Sequence, residues 1–285
     1  MQITFKDVTA DYQIGPLRTP RVLDSVDFNL EPGTFTAVIG HTGSGKSSLL
    51  KAMNGLLIPV KGEVHIGGTV INRSKNKKSL KTIRKKVGMV FQFPESQLFA
   101  ETVEQDICFG PLNFGVPLEE AKRIARQVIQ QVGLGPDILT KSPFALSGGQ
   151  KRRVAIAGIL AMQPEVLVLD EPGAGLDPRG KKEILSLISK WHNNEKLTTV
   201  MVTHDMEDVA HYADNVVVME KGQAVLHKGV RELFADIHAL KSLRVDIPQA
   251  RKLQLKIEQE TGVKLPQVCL TIDELANCLM KAGLV

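Results

Sequence analysis

Apolar residues along the chain fall into two kinds of segment. Short aliphatic and β-branched runs recur at Ile3 to Val8, Phe35 to Ile39, Glu63 to Ile66, Val87 to Phe91, Val166 to Leu169, Thr199 to Val202 and Val216 to Met219. Several lack a two-residue period and are nearly continuous, bounded by glycine, proline or charge, as strands covered on both faces must be. A partly parallel sheet is expected. Helical spacing lies between the runs, and its clearest case begins at Pro117, a residue tolerated in a first turn because its missing N–H has no partner there. Ala121, Ile124, Ala125, Val128, Ile129 and Val132 then share one face, and Gly133 offers a left-handed stop. Strands alternating with helices indicate an α/β fold, and the stretch from Pro94 to Met162, poor in strand signal, reads as a helical insertion. Beyond about Ala235, Pro248, Gly262 and Pro266 separate short helical patterns, and Thr271 with Glu274 makes a candidate capping box before Ile272, Leu275, Ala276 and Leu279. The expected division is a main domain over 1–234 and a small C-terminal helical extension over 235–285.

Composition narrows the class without changing this picture. The 285 residues are 43% hydrophobic, 24% charged and 5% aromatic, which excludes a disordered or collagen-like chain. No stretch approaches the roughly 20 apolar residues of a membrane-spanning helix, and Met1 to Asp7 lacks the apolar core of a signal peptide, so secretion is not expected. Cys108, Cys269 and Cys278 are odd in number with no close pair, which suits a reducing cytosol better than a disulfide framework or zinc site. The net charge of +5 is mild, but Arg73, Lys75, Lys77, Lys78, Lys81, Arg84, Lys85 and Lys86 crowd one segment. Such a run can meet nucleic acid or anionic lipid, although a solvated loop and helix face is the commoner explanation.

Three strings carry chemistry. Gly40-His41-Thr42-Gly43-Ser44-Gly45-Lys46-Ser47 matches the P-loop pattern and lies between an apolar strand and the helix-compatible stretch Ser47 to Gly55. Its glycines let backbone N–H groups curl around phosphate oxygens, Lys46 is placed for the β- and γ-phosphates, and Ser47 for a magnesium ion. The dinucleotide fingerprint fails because Ser48 stands where a third glycine is needed. No Asn-Lys-x-Asp guanine reader occurs, Asn76-Lys77-Lys78-Ser79 being the nearest approach, so adenine is the expected base. Asp170-Glu171-Pro172 ends a buried strand, where Asp170 is placed to hold magnesium through water and Glu171 to polarise an attacking water. Leu146-Ser147-Gly148-Gly149-Gln150 is, by its local physics, a helix start with a capping serine and exposed N–H groups.

Leu-Ser-Gly-Gly-Gln between a P-loop and an Asp-Glu strand resembles the ATP-binding cassette (ABC) ATPases, over roughly Met1 to Phe234. The resemblance implies a P-loop cassette with a mixed sheet, an antiparallel β part and a helical signature subdomain at about 94–162, using ATP and Mg2+. It further implies a head-to-tail dimer in which Leu146 to Gln150 faces ATP held by the other subunit. Tyr12 looks like the aromatic that stacks on adenine, with a simple strand-end tyrosine as its competing role. Within the P-loop, Gly40 to Ser48 are the implied ATP contacts. Gln92 resembles the Q-loop glutamine that contacts magnesium and the attacking water, and His204 the switch histidine that senses the γ-phosphate. Asp177 looks like a dimer-seam carboxylate, while a helix cap ahead of Pro178 is its competing role. One departure is visible: Gly173 stands where the family usually has threonine or serine.

Phe91-Gln92-Phe93-Pro94-Glu95-Ser96-Gln97-Leu98-Phe99 and Ile156 to Met162 are similar to the ATPases of energy-coupling factor transporters, and with the C-terminal extension they resemble the second of two unlike ATPase subunits. This implies a complex of two ATPases, a transmembrane coupling subunit and substrate-binding membrane proteins for vitamins or metal ions, at the cytoplasmic face of the cell membrane. A groove formed by Phe93, Pro94, Glu95, Gln97, Leu98 and Phe99 would receive the coupling helices, and the extension would serve dimerisation. Rival readings are the ATPase of a conventional or cobalt/nickel importer, a soluble cassette acting on nucleic acid, supported by the basic run alone, and a P-loop small-molecule kinase, against which Leu146 to Gln150 argues. No nucleic-acid partner is expected.

Overall fold

A computed structural model of the protein describes residues 1–14, 17–18, 21–74 and 77–284. The chain opens with β1 (Ile3–Ala10), passes a hairpin of β2 (Gln13–Ile14) and β3 (Leu17–Arg18), and returns as β4 (Leu23–Leu30). β5 (Phe35–Ile39) enters α1 (Lys46–Met53), then come β6 (Lys61–Ile66), β7 (Thr69–Ile71), α2 (Lys77–Lys86) and β8 (Val87–Val90). Helices α3 (Val103–Asn113), α4 (Leu118–Gln131) and α5 (Gly148–Leu160) precede β9 (Val166–Asp170), α6 (Pro178–Glu195), β10 (Thr198–Val202) and α7 (Met206–Tyr212). The hairpin β11 (Asn215–Glu220) and β12 (Gln223–Gly229) leads to α8 (Val230–Ala235), α9 (Ile237–Ser242), α10 (Gln249–Thr261) and α11 (Ile272–Lys281).

The larger sheet has the order β12-β11-β5-β10-β9-β8, parallel except for β12, and a second, antiparallel sheet has the order β4-β1-β6-β7. The continuous apolar runs are explained by two cores. Val166 and Val168 face the core shared with the antiparallel sheet and α1, while Leu167 and Leu169 face the core built with α3 to α6. Each strand therefore obeys a two-residue period in space although both faces are apolar in sequence. Register sets Val202 beside Asp170 and Val38, and Val90 beside Leu169, so the carboxyl ends of β5, β8, β9 and β10 share one edge. That edge is where ligands of open α/β sheets bind.

Among the described residues no strand lies between β8 and β9. The α4 face is buried at Ala121, Ile124, Ala125, Val128 and Ile129 as its spacing predicts, and Gly133 closes it at φ 72°. Pro117 occupies the position before the first helical residue rather than that residue itself. In the C-terminal part, Gln254 donates to Gln267 O and accepts from Cys269 N, both at 2.8 Å, and Arg231 forms a bidentate pair with Glu274 at 2.6 and 3.0 Å. That pair alters the expected capping box. Thr271 accepts from Glu274 N, but the Glu274 carboxylate turns to Arg231 and Leu270 N instead of Thr271 N, because a guanidinium is the stronger partner. Cys269, just before α11, and Cys278 within it share a small core with Leu265 and Leu275, and burial first and the neighbouring thiol second push the Cys269 pKa up to about 12. Of the basic run, Lys75 lies outside the described residues, as does Asn76. Arg73, Lys81, Arg84 and Lys85 are exposed, three of them along α2, with Lys81 over the Phe114 ring and Lys86 paired to Glu165.

Candidate nucleotide and catalytic site

The β5–α1 turn wraps around the amino end of α1, where Gly45 takes the cap position at φ 104° and no side chain satisfies the first N–H groups. A side chain at Gly45 would also put its Cβ 2.6 Å from the Val22 carbonyl, so glycine is required twice over. The helix start therefore offers free donors and positive dipole potential to an anion. The Lys46 ammonium folds back onto the carbonyls of Gly40 and His41 at 2.8 and 2.9 Å. Burial pulls its pKa down, opposed by Glu171 and Asp170. The Ser44 hydroxyl is buried within the turn and has no hydrogen-bond partner, an orphaned group of the kind a bound phosphate satisfies. His41, Thr42 and Gly43 are exposed at the rim.

Asp170 ends β9 with its carboxylate hydrogen-bonded to Ser47, and burial, reinforced by Glu171, raises its pKa despite that bond. Glu171 sits in the left-handed region at φ 48°, a conformation that costs a non-glycine residue about 1 to 3 kcal/mol and turns its side chain off the strand line. Its carboxylate is bracketed from both sides: Gln92 Nε2 donates to it at 3.2 Å and His204 Nδ1 lies 3.4 Å from its other oxygen. These groups line a cavity of about 360 Å³. A larger cavity of about 490 Å³, lined by Met1, Trp191 and Leu197, holds none of them and is not the chemical centre. Ser47, Asp170 and Gln92 are oxygen donors of the hard type that suits Mg2+.

Tyr12 lies half-buried beside α1, its hydroxyl 3.2 Å from Ser48 Oγ and 3.3 Å from Lys51 Nζ. Ser147 caps α5 and forms a reciprocal capping box with Gln150, accepting at 3.4 Å and donating its N–H at 3.1 Å. Leu146 is buried beneath, while Ser147, Gly148 and Gly149 are exposed. A Cβ at either glycine would meet nothing within 4 Å, so packing inside this chain does not require them. Asp177 caps α6, accepting from Gly180 N at 2.7 Å.

The expected coupling groove is only partly open. Phe93, Gln97 and Phe99 are exposed, whereas Pro94 and Leu98 are buried. Glu95 turns inward to pair with Arg152, a residue the sequence reading missed. Arg152 on α5 is 1% exposed, grips Glu95 at 2.7 and 2.8 Å, donates to the carbonyls of Ala174 at 2.7 Å and Pro172 at 3.3 Å, and lies 5.9 Å from the Phe93 ring centre. One guanidinium thus ties the signature helix to the Gln92 loop and the segment after Glu171. The available signal was its position one and two turns before Ile156 and Leu160, both core-facing. Arg152→Met is expected to destabilise the fold by about 3 kcal/mol, since it leaves a mostly enclosed carboxylate and two carbonyls unpaired. Denaturant unfolding checks this, and an unchanged midpoint would refute it.

A family model described as ABC transporter matches residues 23–174. The energy-coupling factor transporter ATP-binding protein EcfA2 of Geobacillus kaustophilus is 52% identical over 281 residues, 99% of this chain and 97% of that protein. EcfA2 of Enterococcus faecalis is 51% identical with the same coverage. Among solved structures, cbiO1 from Clostridium perfringens, part of the ABC transporter complex cbiONQ, superposes with a TM-score of 0.72 at 32% identity, covering 92% of this chain and 98% of that one. The dimer of an ATP-binding cassette in a post-hydrolysis state bound to ADP and Pi superposes with a TM-score of 0.70 at 29% identity, covering 80% and 99%.

Proposed function

This chain belongs to the ATP-binding cassette transporter family, and from that premise we propose how its site works and what it is joined to. It is an ATP-hydrolysing subunit of an energy-coupling factor transporter. The observation that carries the catalytic reading is the convergence of Gln92 and His204 on Glu171, directly after the Asp170 carboxylate bonded to Ser47.

In this reading the free N–H groups of the Gly40–Ser48 turn hold the phosphates, and Lys46 exchanges the carbonyls of Gly40 and His41 for the β- and γ-phosphate oxygens. Tyr12 lies against the adenine. Ser47, Gln92 and, through water, Asp170 would hold Mg2+, which when bound neutralises phosphate charge. Glu171 orients and polarises the attacking water, Gln92 fixes the Glu171 carboxylate, and His204 contacts the γ-phosphate. The exposed Ser147, Gly148 and Gly149 present the α5 amino terminus to ATP on a second, unlike ATPase, with Asp177 at the seam. Two ATP molecules then close the pair, and hydrolysis releases it; ATP must therefore bind the closed state more tightly than the open one.

No helix among the described residues is long and apolar enough to cross a membrane. Membrane attachment in this proposal runs through a transmembrane coupling subunit seated on the Phe93, Gln97 and Phe99 surface, which links the ATPases to small membrane proteins that capture vitamins or similar micronutrients. The C-terminal residues 235–285 would support pairing of the two ATPases. The test is mild-detergent purification of tagged protein from its native membranes with mass spectrometry of what accompanies it. A second cassette ATPase, one coupling protein and several small membrane proteins are expected. A homodimer with one dedicated permease would move the assignment to a conventional importer, and ribosomal or nucleic-acid partners would overturn transport.

A further inference from the structure

The departure at Gly173 has a structural counterpart on α6. A Cβ at this glycine would stand 2.7 Å from Lys181 Cγ and 3.2 and 3.3 Å from its Cδ and Cε, so the lysine stem occupies the space a side chain here would fill. Lys181 lies one turn into the helix that Asp177 caps, its N–H donating to Asp177 O at 2.9 Å. Its ammonium reaches across to Asp205 at 2.5 Å and Asp208 at 2.8 Å. Asp205 directly follows His204 and caps α7 through Glu207 N, while Thr203, directly before His204, accepts from Asp205 N at 3.1 Å and donates to Asp208 at 3.3 Å. The residues on both sides of His204 are therefore held in one network anchored by a single cation from α6.

Charge supports the geometry. Burial pulls the Lys181 pKa down, but hydrogen bonds to Asp205 and Asp208 more than offset it and the net direction is up. Burial raises Asp205 as well, yet the Lys181 bond leaves it below the usual carboxylate range, whereas Asp208, at 12% against 37% side-chain exposure, stays above it. The Lys181–Asp205 contact is thus a firm ion pair immediately next to a histidine whose own side chain is 78% exposed and loosely placed 3.4 Å from Glu171.

We propose that Lys181 is a positioning residue for His204: it sets the switch loop against Glu171 and couples that loop to α6, whose first turn carries Asp177, and Gly173 is glycine because the lysine stem needs its space. The proposal rests on the reading of His204 as the γ-phosphate contact.

The test uses the assembled transporter and four changes: Lys181→Met, Lys181→Arg, Gly173→Thr and the double variant Gly173→Thr with Lys181→Met. Lys181→Met keeps the stem and removes the charge. Its kcat for ATP is expected to fall on the order of tenfold with KM unchanged, as misplacement of a catalytic group predicts, and Lys181→Arg is expected to recover part of the loss. Gly173→Thr should reproduce the kcat defect by displacing the stem, and the double variant should be no worse than Lys181→Met alone. Wild-type kcat in Lys181→Met, or costs at the two sites that simply multiply, would overturn the coupling. A fall in kcat matched by a fall in thermal midpoint and not recovered by arginine would reduce Lys181 to a structural role. His204→Ala is measured alongside. If it turns over normally, the histidine reading itself fails; if it loses turnover while Lys181→Met does not, only the role of Lys181 is lost.

Discussion

Glu171→Gln is expected to lower ATP turnover of the assembled complex by about 10²- to 10⁴-fold, the usual contribution of a positioned general base, while nucleotide affinity is retained. The amide has the shape of the carboxylate: its oxygen can accept from Gln92 Nε2 while its NH2 faces His204 Nδ1, which accepts in the Nε2-protonated tautomer, so the bracket around position 171 survives the change. What disappears is the charge that polarises water. The groups proposed to hold the phosphates, the Gly45-capped start of α1 and Lys46, lie on the β5–α1 turn and keep their places; the charge of Glu171 that opposes burial of Lys46 is lost, but Asp170 continues to oppose it. Glu171 also raises the pKa of neighbouring Asp170, so its neutralisation favours ionised Asp170 and does not weaken a cation held there. With binding intact and cleavage blocked, the ATP-closed pair should accumulate. Phosphate release measures the first effect, and size-exclusion chromatography of the two ATPases in ATP and Mg2+ the second. Turnover at the wild-type rate would remove Glu171 from its assigned role.

The strands that build the catalytic edge were legible because both of their faces are buried: Val166 to Leu169 reads as a continuous apolar run in sequence and divides between two cores in space. β4 escaped notice for the opposite reason. Val26, Phe28 and Leu30 keep a two-residue period, but an irregular register against β1 sets Leu23 three residues before Val26, so the buried residues do not alternate along the whole strand. β12 is an edge strand with no buried residue, only Ala224 and Leu226 packing partly against the two cores, so hydrophobic pattern gives it little signal. In the site, the P-loop and the signature are contiguous strings whose spacing is itself the evidence. The triangle of Gln92, Glu171 and His204 is different, since its members lie 79 and 33 residues apart and meet only because β8, β9 and β10 are parallel neighbours. Spacing could not reveal it, and the family resemblance named its three members without their contacts to one another. The inward turn of Glu95 toward Arg152 was hidden because a long-range ion pair leaves no local pattern.

Lys46→Ala is expected to weaken ATP binding by about two orders of magnitude, close to 3 kcal/mol, the scale of one or two hydrogen bonds from a charged donor. The gross interaction with phosphate is larger than this. Lys46 must first release the carbonyls of Gly40 and His41, which it holds at 2.8 and 2.9 Å, and lose further solvation, so only the surplus appears as affinity. Burial pulls the pKa of the ammonium down, and Glu171 and Asp170 oppose that pull. Alanine at 46 keeps the helical start of α1, where alanine is favoured, and the carbonyls it frees lie on an accessible turn that water can reach. Folding without nucleotide should therefore change little, so thermal unfolding of the nucleotide-free protein and ATP titration separate a binding defect from a folding defect. Unchanged affinity in a variant of unchanged stability would refute the phosphate role of Lys46. A large loss of stability would instead show that its bonds to Gly40 and His41 hold the turn together.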